Sequence, residues 1–221
     1  MGEVIRNLDW SVLINILMGV IPSLICITLH ELSHGYTAYL LGDNTAKNAG
    51  RLTLNPVKHI DLFGLIMMAV FHFGWAKAVP VNMRNFKNPK KGMAITALAG
   101  PAMNVVITVV FLFLYGLLYE PLGGSTWGHY VLQMIYLTSY ISIALAVFNL
   151  IPIPPLDGSK ILFSLMNDEQ YAKLMRYERY GMVLLLALVW SGVLGSPLSN
   201  AVGFVYDRLF AIAEFANGLS L

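Results

Sequence analysis

The sequence predicts an all-α polytopic membrane protein, with about four to six transmembrane helices, a short re-entrant segment and small β elements near the cytosolic surface. Three observations carry this. Of the 221 residues, 57% are hydrophobic and 12% charged, against roughly 45–50% and about 25% in soluble domains. So few polar residues cannot cover the surface of a water-soluble fold. The apolar residues also fall in long charge-poor runs, and the basic residues gather in alternate connections. A soluble enzyme, a disordered chain and a disulfide-stapled domain are thereby excluded. Cys26 has no second cysteine to pair with, and a net charge of +2 is too small to suggest nucleic acid as a partner.

The N-terminal stretch has Glu3 and Asp9 beside Arg6 and no small-residue cleavage site, so it does not read as a removable signal. The first apolar run, Trp10 to Leu41, is longer than one bilayer crossing needs and must tilt or protrude. Gly50 to Pro56 and Ala78 to Asn82 alternate apolar and polar residues, which predicts two short strands. Between them, Leu62 to Phe73 is twelve residues, short for a span and suited to a re-entrant or interfacial segment. Ile95 to Tyr119 and Val131 to Ile151 are the second and third spans, the latter ending in a proline cluster. Met182 to Val193 is a marginal fourth. Ala201 to Ala216 carries Asp207, Arg208 and Glu214, so it either lies in the interface or packs as a final span.

Orientation follows from Lys and Arg. Residues 42–92 hold eight and 158–179 hold four of the fourteen, while 120–130 and 194–200 hold none. The positive-inside rule puts the two basic stretches in the cytosol and the N-terminus outside.

The first run contains His30-Glu31-Leu32-Ser33-His34. Positions i and i+4 share a helix face, so both imidazoles can reach one metal ion. Zinc suits imidazole nitrogen, and Glu31 is placed to act on water as a general base rather than as a ligand. Two histidines and a glutamate in hydrocarbon are costly unless they meet a metal or a polar cavity. A packed histidine pair is the bland alternative. A catalytic zinc needs a third protein ligand, and Leu40 and Thr37 exclude the soluble pattern with a downstream histidine. His59, Asp61, His72 and Asp157 are the candidates. Asp157 is favoured, because Pro152, Pro154 and Pro155 break the helix before it and allow it to turn toward a neighbour. Cys26, one turn before His30, reads as a small packing residue rather than a ligand.

These motifs resemble those of the site-2 protease family, zinc metalloproteases that cut proteins within the membrane. The matching pieces are His30-Glu31-Leu-Ser-His34, Ala99-Gly100-Pro101-Ala-Met-Asn104 and Asn149 with Pro155-Leu-Asp157-Gly158. Gly50 to Pro56 and Phe73 to Asn82 are similar to the compact prokaryotic branch, although Ala78 stands where proline is frequent. No PDZ-like insertion or regulatory domain is visible, so residues 1–221 are expected to form a single membrane-embedded metalloprotease domain. The resemblance implies a multi-pass protein of the cell membrane, with zinc on His30, His34 and Asp157, Glu31 as base, and an active site open to the cytosol. Its partners would be the lipid bilayer and membrane-protein substrates with a transmembrane segment. Asn104 and Asn149 are candidates to hydrogen-bond substrate backbone or to hold the site together, and a structural amide between helices fits each equally. A metal-ion transporter would use similar intramembrane groups, but no repeat relating two halves is visible. An inactive scaffold would have lost Glu31 or a ligand.

Overall fold

The computed structural model describes residues 10–64, 67, 74–177 and 180–220. Its frame is helical: α1 (Trp10–Leu40), α2 (Pro89–Gly123), α3 (Thr126–Asn149), α4 (Asp157–Ser164), α5 (Asp168–Tyr177), α6 (Gly181–Trp190) and α7 (Gly195–Asn217). Among the described residues, Ile16–Leu40, α2 and α3 are each long and apolar enough to cross a membrane. The bent pair α6 and α7, at 89°, raises the count to four if it is taken as one span. Ala201 to Ala216 belongs to α7, which packs into the bundle: Leu112, Ile143, Ala146, Val202, Tyr206 and Ala213 form one buried cluster. The re-entrant segment expected at 62–73 lies largely outside the described residues.

Helix ends follow local chemistry. Asn88 caps α2, its side chain accepting from the Lys91 amide, with Pro89 in the first turn. Helix α1 stops in a Schellman arrangement: Asp43 N–H donates to Ala38 O and Gly42 N–H to Tyr39 O, with Gly42 at φ +104.

The two expected strands do not form. The described residues contain a single isolated bridge, Ile60 with Ala76. The reason is that backbone groups in both stretches are claimed elsewhere. His59 Nε2 donates to Thr53 O, Asn55 caps the turn Pro56–His59, and the Arg51 amide donates to Ala46 O. In the second stretch Lys77 O accepts from Arg51 Nη2 at 2.6 Å, while Val79 and Asn82 amides donate to Glu31 and Asp43 at 2.8 and 2.7 Å. Pro80 has no amide to give. Residues 77–82 therefore run as a strap held by side chains of the α1 end, not as a ladder.

Asp43 is the knot of this strap. It is fully buried and accepts from the Thr45 amide and hydroxyl, the Asn82 amide and Asn85 Nδ2. Burial alone would raise its pKa, but the four donors outweigh it and hold the carboxyl below its ordinary value. The unfolded chain then binds this proton more readily than the folded one. The stabilisation is complete above the unfolded value of about 4 and is lost as pH falls through the lower folded value. Asp43→Asn should cost about 1–3 kcal/mol at pH 7, read from thermal unfolding in detergent. The gap to wild type should shrink in acid, and a pH-independent gap would show that the charge is not what counts.

The two basic stretches meet at one end of the bundle. Lys90 donates to Met166 O, lies 3.0 Å from Asp168 Oδ1 and sits over the Tyr171 ring.

Candidate metal centre

Three helices deliver the site. His30 and His34 lie one turn apart on α1, and their Nε2 atoms stand 3.0 Å from each other. Asp157 is the first residue of α4, reached after the chain leaves α3 through bends at Pro152, Pro154 and Pro155. Its Oδ2 lies 3.2 Å from His30 Nε2 and 3.1 Å from His34 Nε2. All three side chains are buried, at 6%, 8% and 7% exposure. Two glycines create the space. A Cβ on Gly100 of α2 would stand 2.4 Å from His34 Nε2 and 2.6 Å from His30 Cε1. A Cβ on Gly158 would stand 2.2 Å from Leu150 O, so only glycine lets the start of α4 tuck against the end of α3.

Helix α2 aims the imidazoles. Thr96, Gly100 and Asn104 recur every four residues and so share a face. Thr96 O accepts from His34 Nδ1 at 2.7 Å, and Asn104 Nδ2 stands 3.2 Å from His30 Nδ1. The Thr96 bond places the proton of a neutral His34 on Nδ1, leaving the Nε2 lone pair toward the centre. Ser33 Oγ to Ala99 O at 3.1 Å ties the same two helices. Next to His30 in the chain, Glu31 accepts the Val79 amide at its Oε2.

The donor set fits zinc. Two imidazole nitrogens and one carboxylate oxygen are its usual ligands, at about 2.0–2.2 Å in tetrahedral geometry. Ligands so placed stand roughly 3.3–3.6 Å apart, against the observed 3.0–3.2 Å. An ion would move the donors by a few tenths of an ångström. Three acceptors converging in a buried place repel unless a cation or protons lie between them. Burial raises the Asp157 carboxyl, but the two imidazoles and then Lys160, 3.8 Å away, hold it well below the usual carboxylate range.

Of the other residues singled out in the sequence, His59 and Asp61 are used locally. His59 bonds Thr53 O, and Asp61 Oδ1 accepts the Gly64 amide at 2.9 Å. His72 lies outside the described residues. Cys26 is fully buried and donates to Thr138 O at 3.4 Å. Among the described residues, the metal-capable group is His30, His34 and Asp157. Asn104 is fully buried against His30, whereas Asn149 is half-buried at the end of α3 and donates to Leu145 O. Sequence reasoning missed the Thr96 carbonyl, the space at Gly100 and the Val79 amide. The only signal was Gly100 itself, four residues before Asn104.

Comparison with known proteins points to zinc metalloproteases. Residues 117–191, which include Asn149 and Asp157, match the model of peptidase family M50. "Putative zinc metalloprotease YwhC" of Bacillus subtilis is 40% identical over 173 residues, covering 76% of this chain and 78% of that protein. "Putative zinc metalloprotease Rip2" of Mycolicibacterium smegmatis is 28% identical over 212 residues, covering 93% and 78%. No solved structure matches the chain. Identity at the level shared with the Bacillus subtilis protein, over most of both chains, makes this chain a member of peptidase family M50.

Proposed function

We propose that the chain is an intramembrane zinc endopeptidase that hydrolyses peptide bonds within or near the transmembrane segments of other membrane proteins, as in regulated intramembrane proteolysis. The observation that carries this reading is the convergence of Asp157 on His30 and His34, which flank Glu31 on a helix apolar enough to cross a membrane. His30, His34 and Asp157 would hold the zinc. When bound, it would supply a Lewis acid that activates water and polarises the scissile carbonyl.

The protein groups divide the remaining work. Glu31 accepts the proton of the attacking water and returns it to the leaving amide nitrogen. The Val79 amide holds Glu31 Oε2, which leaves Oε1 as the atom that carries the proton. Thr96 O keeps the His34 ring oriented through Nδ1. His34 and His30 lie six and ten residues from the Leu40 end of α1, about 9 and 15 Å at 1.5 Å per residue. That depth supports catalysis below the membrane surface, reached from the end where the basic stretches lie. With those stretches cytosolic, the site opens to the cytosol.

The test of function is incubation of the pure protein in detergent with a panel of single-span membrane proteins. The reading expects about one zinc per chain and cleavage that chelator stops. A metal-ion transporter would instead load zinc into vesicles and cut nothing. Topology has its own check. A cysteine introduced within 84–91 should be protected from a membrane-impermeant reagent added outside cells, and one within 123–128 should react. The reverse pattern would overturn the cytosol-facing site.

A further inference from the structure

The two imidazoles are held in unequal ways. His34 Nδ1 faces a backbone carbonyl, Thr96 O, which can only accept. His30 Nδ1 faces the side-chain amide of Asn104, which carries a donor at one end and an acceptor at the other. With Nδ2 toward the ring, as found, Asn104 donates to His30 Nδ1 and a neutral ring must carry its proton on Nε2. That proton points at His34 Nε2 and Asp157 Oδ2. A metal in the centre would need the Nε2 lone pair, hence a proton on Nδ1 and an acceptor opposite it. The acceptor is already present: Asn104 Oδ1 is buried and makes no hydrogen bond.

We propose that Asn104 is the positioning residue for His30, its amide turned in the metal-loaded protein so that Oδ1 accepts the Nδ1 proton. The two ends of the amide are nearly equal in size, so turning it displaces no neighbour. The turn exchanges one unpaired amide atom for another, and the imidazole tautomer decides the balance. The backbone around the amide is fixed: Asn104 O accepts from Thr108 Oγ1 at 2.9 Å and from Ser142 Oγ at 2.8 Å. The side chain itself is fully buried against the His30 ring. This inference rests on the zinc reading above.

The experiment is zinc competition against a chelator of known affinity, with nitrogen NMR of imidazole-labelled protein in micelles. In zinc-loaded wild type the His30 signal should show a protonated Nδ1. Asn104→Leu, similar in volume but without an acceptor, should lose about 10–100-fold in zinc affinity. Asn104→Asp, which restores an acceptor, should recover most of it. Wild-type affinity in Asn104→Leu would overturn the proposal, as would equal weakness of the Leu and Asp variants. Should Asn104→Leu fail to fold, the wild-type spectrum still decides, because a His30 ring without a proton on Nδ1 contradicts the assignment. His30→Ala separates the two levels. If it loses zinc while Asn104→Leu keeps it, the positioning role fails and the ligand set stands; if it keeps zinc, the ligand set is wrong.

Discussion

Glu31→Gln should abolish most peptide cleavage while leaving zinc content near that of wild type. The substitution is nearly isosteric and leaves His30, His34 and Asp157 in place. The amide oxygen can still accept the Val79 N–H that Glu31 Oε2 now accepts at 2.8 Å. The amide cannot take a proton from water at neutral pH. General acid–base catalysis by one positioned group contributes about 10²–10⁴-fold. Peptide hydrolysis uses the same carboxylate twice, first as base and then as acid, so the loss should reach the upper end of that range. With cavity and ligands intact, the variant should also trap uncleaved substrate, detectable by co-purification. Near wild-type turnover of a verified substrate would mean that another group is the base.

Asp157→Ala should have the larger effect on metal. It removes the one anionic donor of the centre and leaves two imidazoles, 3.0 Å apart at Nε2, with no counter-charge on the α4 side. Zinc measured on the pure variant should fall to background, and cleavage with it. Lys160 would then lose the carboxylate oxygen 3.8 Å away, so its ammonium adds repulsion toward any cation that remains. A control keeps the result interpretable: melting of the variant should stay close to that of metal-stripped wild type. Full zinc in Asp157→Ala would assign the third ligand elsewhere.

The centre was legible in the sequence where chemistry resides in side chains at fixed spacing. His30 and His34 share a face because four residues make slightly more than one turn. Asp157 could be chosen over His59 and Asp61 because prolines break the chain just before it. What escaped was the contribution of backbone and of empty space. The Thr96 carbonyl and the Val79 amide have no residue-type signature, and Gly100 shows in the sequence only as a glycine whose role appears when α1 and α2 cross. The strand expectation failed for a related reason. Residues 77–82 are extended enough to alternate, but alternation does not reveal which partner takes the amides. Here Glu31 and Asp43 take them before any strand can. Helix starts lie ahead of the apolar runs because caps, not hydropathy, set them. Helix α2 begins at Pro89, ahead of the apolar run, since Asn88 caps it and Lys90 and Lys91 occupy its first turn. Helix α3 likewise begins at Thr126, behind a Ser125 cap.

Where the cut falls is the most direct test of intramembrane proteolysis. The pure protein and a single-span substrate would be placed together in lipid vesicles, and the product masses measured before and after chelation. One main cut is expected inside or at the edge of the substrate's apolar span, absent with chelator and restored by zinc. A cut confined to a water-exposed domain, or one that persists in chelator, would contradict it.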